Sequence, residues 1–190
     1  MNIIKIKQAD FRAEKWTGGV TEEIFILPEG ASYKNREFVA RVSSATIEKN
    51  ESTFSVLPDV YRFICPLDKK LTLIVNDENY VELEPFEVFE FNGDTPIVGK
   101  GKCRDFNFML KGNAGGYMKV WNTEKAVMKK IQLKKSSILW VFSYSKKCAV
   151  KVNDEEVEIG KMQFIKIDGM KKSVTLKTDC KTNLIYGVIY

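Results

Sequence analysis

The sequence contains no histidine among its 190 residues. Histidine is the commonest metal ligand and general base in proteins, so its absence excludes histidine-ligated metal sites, Ser-His-Asp triads and Cys-His dyads within this chain. The sequence also has no apolar run approaching the roughly 20 residues that cross a bilayer. Residues 1–16 are charged and amphipathic, without the apolar stretch of a signal peptide. We therefore expect a cytoplasmic protein with no membrane partner.

The sequence has few cysteines, and none of them forms a CxxC pair. Cys65, Cys103, Cys148 and Cys180 are far apart in the chain. This spacing does not support a thiolate metal site, and the lack of an export signal argues against disulfides. We expect four reduced, mostly buried thiols and no metal or other cofactor.

Charge is distributed unevenly along the chain. Residues 1–110 carry 14 Lys/Arg against 18 Asp/Glu, a net charge of −4, whereas residues 111–190 carry 16 against 7, a net charge of +9. A basic half can mark a nucleic-acid surface, but the positive residues here are nearly all scattered lysines without an aromatic or arginine signature. A solvated lysine-rich face is the favoured interpretation, and nucleic acid is the least favoured partner.

Short alternating stretches predict an all-β fold. Short β-rich runs separated by Asn, Asp and Gly turn signals are typical of sandwiches and barrels. The pattern includes no long helix; helical turns are predicted only at 8–15 and 123–130. The predicted strands are 38–46, 71–75, 86–91, 105–110, 138–144, 149–152, 157–159, 164–167, 174–177 and 184–190.

An internal repeat indicates two modules. Residues 75–83 resemble residues 152–159, and residues 86–93 resemble the stretch that ends at Gly169. The offset is 77 residues before a one-residue gap and 76 after it. Both copies have the same order of elements, which is the order expected of a cupin-type jelly roll: strand, Asn-Asp turn, strand, link, strand and glycine turn. The sequence therefore predicts two tandem cupin-type barrels, a bicupin, over residues 1–112 and 117–190, with a joint at 111–117.

A double-glycine segment is the first candidate for a binding loop. Trp16, Gly18, Gly19, Thr21 and Glu23 lie in one short stretch. Adjacent glycines let a backbone approach a ligand closely, and Trp16 and Thr21 could close over it. The alternative is a tight turn before a strand, with Trp16 filling the core.

Two arginines and a polar pair are the other candidates. Arg41 shares a strand face with Ser43, and Arg62 opens the strand after a Pro-Asp turn. A buried arginine offers a planar fork to a carboxylate or phosphate, whereas a solvent-facing one needs no partner. Asp105 and Asn107 share one face of a strand. If that face is inward, they supply hydrogen-bonding groups to a cavity or neutralise an arginine.

Taken together in this order, these segments resemble the HutD/Ves family. The matching segments are Trp16-Thr17-Gly18-Gly19-Val20-Thr21-Glu22-Glu23, Arg41-Val42-Ser43-Ser44-Ala45, Phe54-Ser55-Val56-Leu57-Pro58-Asp59-Val60-Tyr61-Arg62, Phe91-Asn92-Gly93-Asp94 and Asp105-Phe106-Asn107.

The resemblance implies a bicupin and a small cytosolic accessory protein. Some relatives are encoded with histidine-degradation genes, where a sensing or regulatory role has been proposed, and others are associated with cold response. Many members carry a longer Trp-Lys-Asn-Gly-Gly-Gly loop, which is shorter here. Ordinary cupins hold a metal with histidines and a glutamate, and this chain has no histidine to do so.

The leading hypothesis is a metal-free bicupin that binds a small anionic metabolite in its N-terminal barrel. Arg41 and Arg62 would bind carboxylate oxygens, while Asp105 and Asn107 would hold the arginines or contact the ligand. The alternatives are a metal-independent isomerase or lyase that uses Glu23 or Asp105, and a structural or interaction protein, such as a homodimer.

Overall fold

A computed structural model shows that β-strands are the main regular element of the chain. It describes residues 1–123, 128–168, 173–178 and 181–190. Within these residues, one 3-10 turn at Gln8–Asp10 is the helical element, and the all-β prediction is confirmed. In chain order the described strands are β1 (Asn2–Ile6), β2 (Arg12–Trp16), β3 (Gly19–Leu27), β4 (Ala40–Ile47), β5 (Glu51–Thr53), β6 (Val60–Pro66), β7 (Leu71–Val75), β8 (Asn79–Leu83), β9 (Phe89–Asn92), β10 (Ile97–Lys100), β11 (Arg104–Lys111), β12 (Gly116–Asn122), β13 (Met128–Gln132), β14 (Ile138–Ser143), β15 (Cys148–Val152), β16 (Glu155–Ile159), β17 (Gln163–Asp168), β18 (Ser173–Lys177) and β19 (Asn183–Ile189).

Several predicted features lie wholly or partly outside the described residues. They are the middle of the predicted helical turn at 123–130, the glycine turn at Gly169 and the thiol of Cys180. The other predicted helical turn, at 8–15, is a single 3-10 turn followed by strand β2.

The chain divides into two compact units. Residues Phe11–Ala114 form one unit, here called the first barrel, and Met1–Asp10 with Gly115–Tyr190 form the other, the second barrel. The predicted division at 1–112 and 117–190 differs from this at the N-terminus. Residues 1–10 belong with the C-terminal residues because β1 pairs antiparallel with β17.

The first barrel consists of two antiparallel sheets. Residues 11–114 are all described; they form a six-stranded sheet, β2-β3-β4-β11-β6-β9, and a four-stranded sheet, β5-β10-β7-β8. Apolar side chains from both sheets pack into one core, with Ile64 from the larger sheet and Leu71, Leu73 and Ile97 from the smaller. Alternating apolar residues in each strand make this possible, because successive side chains point to opposite faces.

The second barrel repeats this plan. Its described residues form a five-stranded sheet, β1-β17-β14-β19-β12, and a four-stranded sheet, β13-β18-β15-β16. Its core includes the fully buried side chains Leu139, Val150, Ile165 and Leu176. Each barrel also carries the predicted Asn-containing turn with positive backbone φ, 53° at Asn76 and 58° at Asn153.

Strand register makes the two barrels directly comparable. In the first barrel, Asn107 on β11 lies opposite Ser43 on β4, and β6 pairs on the other side of β11. In the second barrel, Tyr186 on β19 lies opposite Lys119 on β12, and β14 pairs on the other side of β19. Strands β4, β11 and β6 therefore correspond to β12, β19 and β14, position by position.

Candidate functional site

The first barrel contains a cavity of about 330 Å³. It is partly open to solvent and lined by side chains of β4, β6 and β11, together with residues of β2, β3, β5 and the connecting loops. Of the ten residues predicted to bind a ligand, seven line this cavity: Trp16, Thr21, Arg41, Ser43, Arg62, Asp105 and Asn107.

The central strand β11 brings the two arginines together. Met109 of β11 lies opposite Arg41 of β4 on one side and Arg62 of β6 on the other. Neighbouring strands are about 4.8 Å apart, so the two arginine backbones are about 10 Å apart on either side of β11. Both side chains reach the same cavity, and neither was adjacent to the other in sequence.

Arg41 already has an ionic partner. Its Nε donates to Oε2 of Glu23 at 2.8 Å, and one terminal nitrogen donates to the Ser43 hydroxyl at 3.1 Å. Its guanidinium lies 4.1 Å from the ring centroid of Tyr33. Glu23 therefore does not line the cavity but orients and neutralises an arginine that does.

Arg62 lies in a different environment. The residue is only 7% exposed, and its guanidinium lies 5.4 Å from the Phe54 ring centroid and 5.0 Å from that of Phe91. One terminal nitrogen donates to the Ser55 carbonyl at 3.1 Å, while Nε has no hydrogen-bond partner among the described residues. Burial lowers the pKa of Arg62 to about 10, so the side chain stays positively charged at neutral pH.

Asp105 and Asn107 form a buried polar pair beside Arg62. Oδ1 of Asp105 accepts from Asn107 Nδ2 at 2.6 Å and from the backbone N–H of Ala45 at 3.3 Å. Burial raises the pKa of Asp105 to about 7, and the Ala45 N–H and the Arg62 charge oppose that rise. Within the part of the chain that is described, neither Asp105 nor Arg62 forms an ion pair closer than 4.0 Å.

The two glycines do not line the cavity. A Cβ on Gly18 would lie 2.2 Å from carbons of the Trp16 ring, and a Cβ on Gly19 would lie 1.9 Å from the Thr46 carbonyl oxygen. Gly18 packs against the Trp16 ring and Gly19 against β4, which fits a tight turn before a strand, whereas Trp16 lines the cavity and does not fill the core. The Trp16 indole N–H is buried without a hydrogen-bond partner among the described residues.

The sequence did not reveal several cavity residues. Tyr33 and Arg36 come from the loop between β3 and β4, and the Arg36 guanidinium lies 4.5 Å from the Tyr33 ring centroid. Phe54 follows β5 and packs on Arg62. No local pattern marks these residues; only the Phe54–Arg62 segment of the family resemblance contained one of them.

The cavity does not fit the metal of ordinary cupins. Its ionisable lining comprises arginines and lysines with Glu14 and Asp105, and the described residues contain no cluster of three potential Cys, Asp or Glu ligands. Burial raises the pKa of the Cys65 and Cys103 thiols to about 12, so neither is a thiolate at neutral pH. What the lining can do is hold an anion beside two buried guanidinium groups.

Solved structures share this architecture at low sequence identity. The structure of HutD from Pseudomonas fluorescens SBW25 is 21% identical, with 98% of each chain covered and a TM-score of 0.78. A conserved protein of unknown function from Pseudomonas aeruginosa PAO1 is 17% identical, with 100% and 98% covered and a TM-score of 0.83. The Escherichia coli pirin YhhW in complex with nickel(II) is 9% identical, with 98% of each chain covered and a TM-score of 0.68. No curated protein matches the sequence.

Two tandem cupin-type barrels, the first with an arginine-lined cavity, place this chain among the bicupins. The HutD family model matches residues 8–185, and the chain therefore belongs to the HutD family. No helix in the described part of the chain is long and apolar enough to span a membrane.

Proposed function

We propose that the first-barrel cavity binds a small anionic metabolite, and that the protein acts as a metal-free accessory or regulatory protein in the cytoplasm. Arg62 is the main contact for the anion. The observation that carries this proposal is a buried guanidinium that lines a cavity and has no ionic partner among the described residues. A buried charge without a partner costs several kcal/mol, and a bound anion would remove that cost.

Arg41 has a supporting role in this proposal. Because Glu23 already neutralises Arg41, its positive charge is less available to a ligand than that of Arg62. Arg41 instead contributes a fixed donor surface next to Ser43. The sequence predicted two equivalent arginine contacts to the anion. In this proposal Arg62 is the main contact and Arg41 is an auxiliary one.

The cavity dimensions suit a small ligand. A volume of about 330 Å³ lies at the lower end of the range for small-molecule sites, about 300–1,000 Å³. Aromatic rings flank the charged groups, so the apolar part of a metabolite would pack against Tyr33 or Phe54. The HutD structure from Pseudomonas fluorescens was determined in a formate condition, which makes formate a sensible first carboxylate to test.

Calorimetry on the full chain tests this proposal. Formate, other small carboxylates and carboxylated metabolites of histidine degradation are titrated into the wild type and into Arg62→Met. The loss of a charge-assisted hydrogen bond, about 1.5–3 kcal/mol, predicts roughly ten- to hundredfold weaker binding in Arg62→Met. Replacing a buried charge by an apolar side chain is not expected to destabilise the fold.

Lys70→Met is the matched control. Lys70 is exposed and pairs with Glu82 outside the cavity, and the variant loses the same single charge. Its affinity should stay at the wild-type value. The absence of heat with every acid in the panel, or equal affinity of Arg62→Met and wild type, would refute the proposal.

The enzyme alternative has only part of the geometry that it requires. That hypothesis needs an acidic residue with a raised pKa and no neutralising arginine. Asp105 has the raised pKa, but Arg62 lines the same cavity, and Glu23 is paired with Arg41. An anion site accounts for Arg62, Arg41 and Glu23 and is compatible with Asp105 in its protonated form, whereas acid–base catalysis accounts for Asp105 alone.

A further inference from the structure

A cluster of lysines and tyrosines in the second barrel occupies the positions that line the cavity in the first. Register equates Tyr186 with Asn107 and Lys119 with Ser43. Tyr117, two residues before Lys119, takes the position of Arg41. Three polar positions of the first barrel therefore have polar or charged counterparts in the second, whereas Arg62 and Asp105 correspond to the buried Leu139 and Leu184.

A fourth position extends this correspondence. Lys129 pairs with Leu176, and the backbone N–H of Phe54 donates to the Ile97 carbonyl. Ile97 pairs with Val75, the last residue of β7, and Leu176 pairs with Val152, the last residue of β15. An Asn-Asp turn follows each of these two strands, so Ile97 and Leu176 hold the same position in the two barrels. Lys129 therefore replaces Phe54, the ring that packs on Arg62 in the first barrel.

Lys129 lies on the inward face of its strand, which is unusual for a lysine. It shares a strand face with Ile131, which is buried in the core, and lies opposite the fully buried Leu176. Its neighbours Met128 and Lys130 are on the opposite face and are exposed. An inward-facing lysine requires a polar group or an ion near its ammonium.

The nearest groups that the structure describes are tyrosines and another lysine. Nζ of Lys129 lies 3.4 Å from the Tyr186 hydroxyl and 4.9 Å from its ring centroid. Nζ of Lys119 lies 5.3 Å from the ring centroid of Tyr117. The two rings pack edge to face with centroids 6.2 Å apart. Both ammonium groups are thus held against one pair of rings.

In the part of the chain that the structure describes, no ion pair balances the positive charge of this cluster. Burial, and then the charge of Lys119, lower the pKa of Lys129, while burial raises the pKa of Tyr186 to about 12 and keeps its hydroxyl protonated. Among the described residues, the ion pairs of the second barrel use other lysines, Lys147, Lys151 and Lys166. Lys119 is exposed and Lys129 is partly buried. Two like charges held against the same pair of rings are stabilised by a bound anion.

We propose that Lys119, Lys129 and the Tyr186 hydroxyl form a second anion site in this protein, which takes a compact oxyanion of the phosphate class. Two ammonium groups match a doubly charged phosphate, and the hydroxyl adds a third donor. Lysines bind phosphate as point charges and do not need the planar geometry that carboxylate recognition by arginine uses. The site is separate from the first-barrel cavity.

Titration of inorganic phosphate into the full chain at constant ionic strength tests the proposal. Lys129→Met should weaken saturable phosphate binding by about tenfold or more, because a charge-assisted contact is lost. Lys130→Met is the matched control, with the same charge change on the opposite face of the same strand. It should change the affinity by no more than about twofold. Titration of acetate is the second arm of the experiment. We expect acetate to bind at this site more weakly than phosphate.

Lysine acetylation, read by mass spectrometry, locates the bound ion without a variant. Phosphate should protect Lys119 and Lys129 from acetylation and leave Lys130 reactive. Tyr186→Phe should weaken binding while thermal unfolding shows a retained fold.

Three results would overturn the proposal: no saturable phosphate binding in the millimolar range, equal effects of Lys129→Met and Lys130→Met, or loss of all phosphate binding in Arg62→Met. The last result would assign phosphate to the first-barrel cavity and leave the proposed function standing.

Discussion

Arg62 and Asp105 are two buried ionisable groups that line one cavity. Arg62 remains charged at neutral pH, because its pKa is lowered only to about 10. Asp105 titrates near neutrality, because burial raises its pKa to about 7. The other charged or titratable groups that act on Asp105 or respond to it are Arg104 and the thiols of Cys65 and Cys103. An anion beside Arg62 is repelled by ionised Asp105 and is not repelled by the protonated form.

We therefore predict that carboxylate affinity at the first-barrel cavity falls as the pH rises between about 6 and 8. Asp105→Asn should remove this dependence, because an amide keeps the shape of the side chain without a titrating proton. Calorimetry across this pH range checks the prediction. A pH profile shared by wild type and Asp105→Asn would contradict it.

The same proton affects folding. The folded-state pKa of about 7 is above the ordinary 3.8, so the native state binds the proton more tightly than the unfolded state does. Asp105 therefore makes the free energy of unfolding decrease as the pH rises from about 4 to about 7, by about 4 kcal/mol, and contributes no further change above that. Asp105→Asn should lack this segment of the stability profile.

At the scale of elements, the backbones of β3 and β4 lie so close together at the start of β3 that the residue there cannot carry a side chain. Gly19 lies opposite Ile47 of β4, and a Cβ on Gly19 would collide with the Thr46 carbonyl oxygen. A backbone oxygen cannot move aside as a flexible side chain can. Gly19 is therefore needed for packing against β4, whereas Gly18 lies against the Trp16 side chain.

Gly19→Ala should lower the free energy of unfolding by about 1–3 kcal/mol, because overpacking at a backbone contact forces the strands apart. Urea unfolding followed by tryptophan fluorescence measures the change. Thr17→Ala, at an exposed neighbouring position, is the control and should change stability by less than about 0.5 kcal/mol. Equal stability of Gly19→Ala and wild type would show that the hairpin accommodates a side chain.

Strand boundaries show how far local pattern reaches. The prediction of a strand at 71–75 agrees with β7, because alternation and the Asn-Asp turn are both local signals. The predicted strand at 86–91 begins three residues later in the structure, where β9 covers Phe89–Asn92. Phe86 has a backbone φ of 68°, and its N–H donates to the Pro66 carbonyl. That contact with a distant strand cannot be read from alternation.

At the scale of the whole chain, the first strand belongs with the last residues. In β1, Ile3 lies opposite Ile167 and packs against the core of the second barrel, while Ile4 is exposed. A sequential division of the chain could not include this pairing, because it joins residues at opposite ends of the sequence.

Ile3→Ala should therefore destabilise the second barrel by about 1–2 kcal/mol, less than at a fully buried isoleucine. Ile4→Ala is the matched control and should be close to neutral. Hydrogen exchange should show faster exchange in β17 for Ile3→Ala and leave the first barrel unchanged. Equal effects of the two variants would contradict the assignment of β1.

The sequence by itself determined the all-β class, the internal duplication and the exclusion of histidine chemistry, because these depend on composition, alternation of period two and similarity at a constant offset. It also pointed to Arg41, Asp105 and Asn107 as strand residues that could face inward, but it indicated a surface position for Arg62, which the structure buries. Only the tertiary structure decided which arginine is neutralised, which glycines pack and where β1 pairs. Those outcomes depend on cross-strand neighbours, and strand register connects residues that no local pattern links.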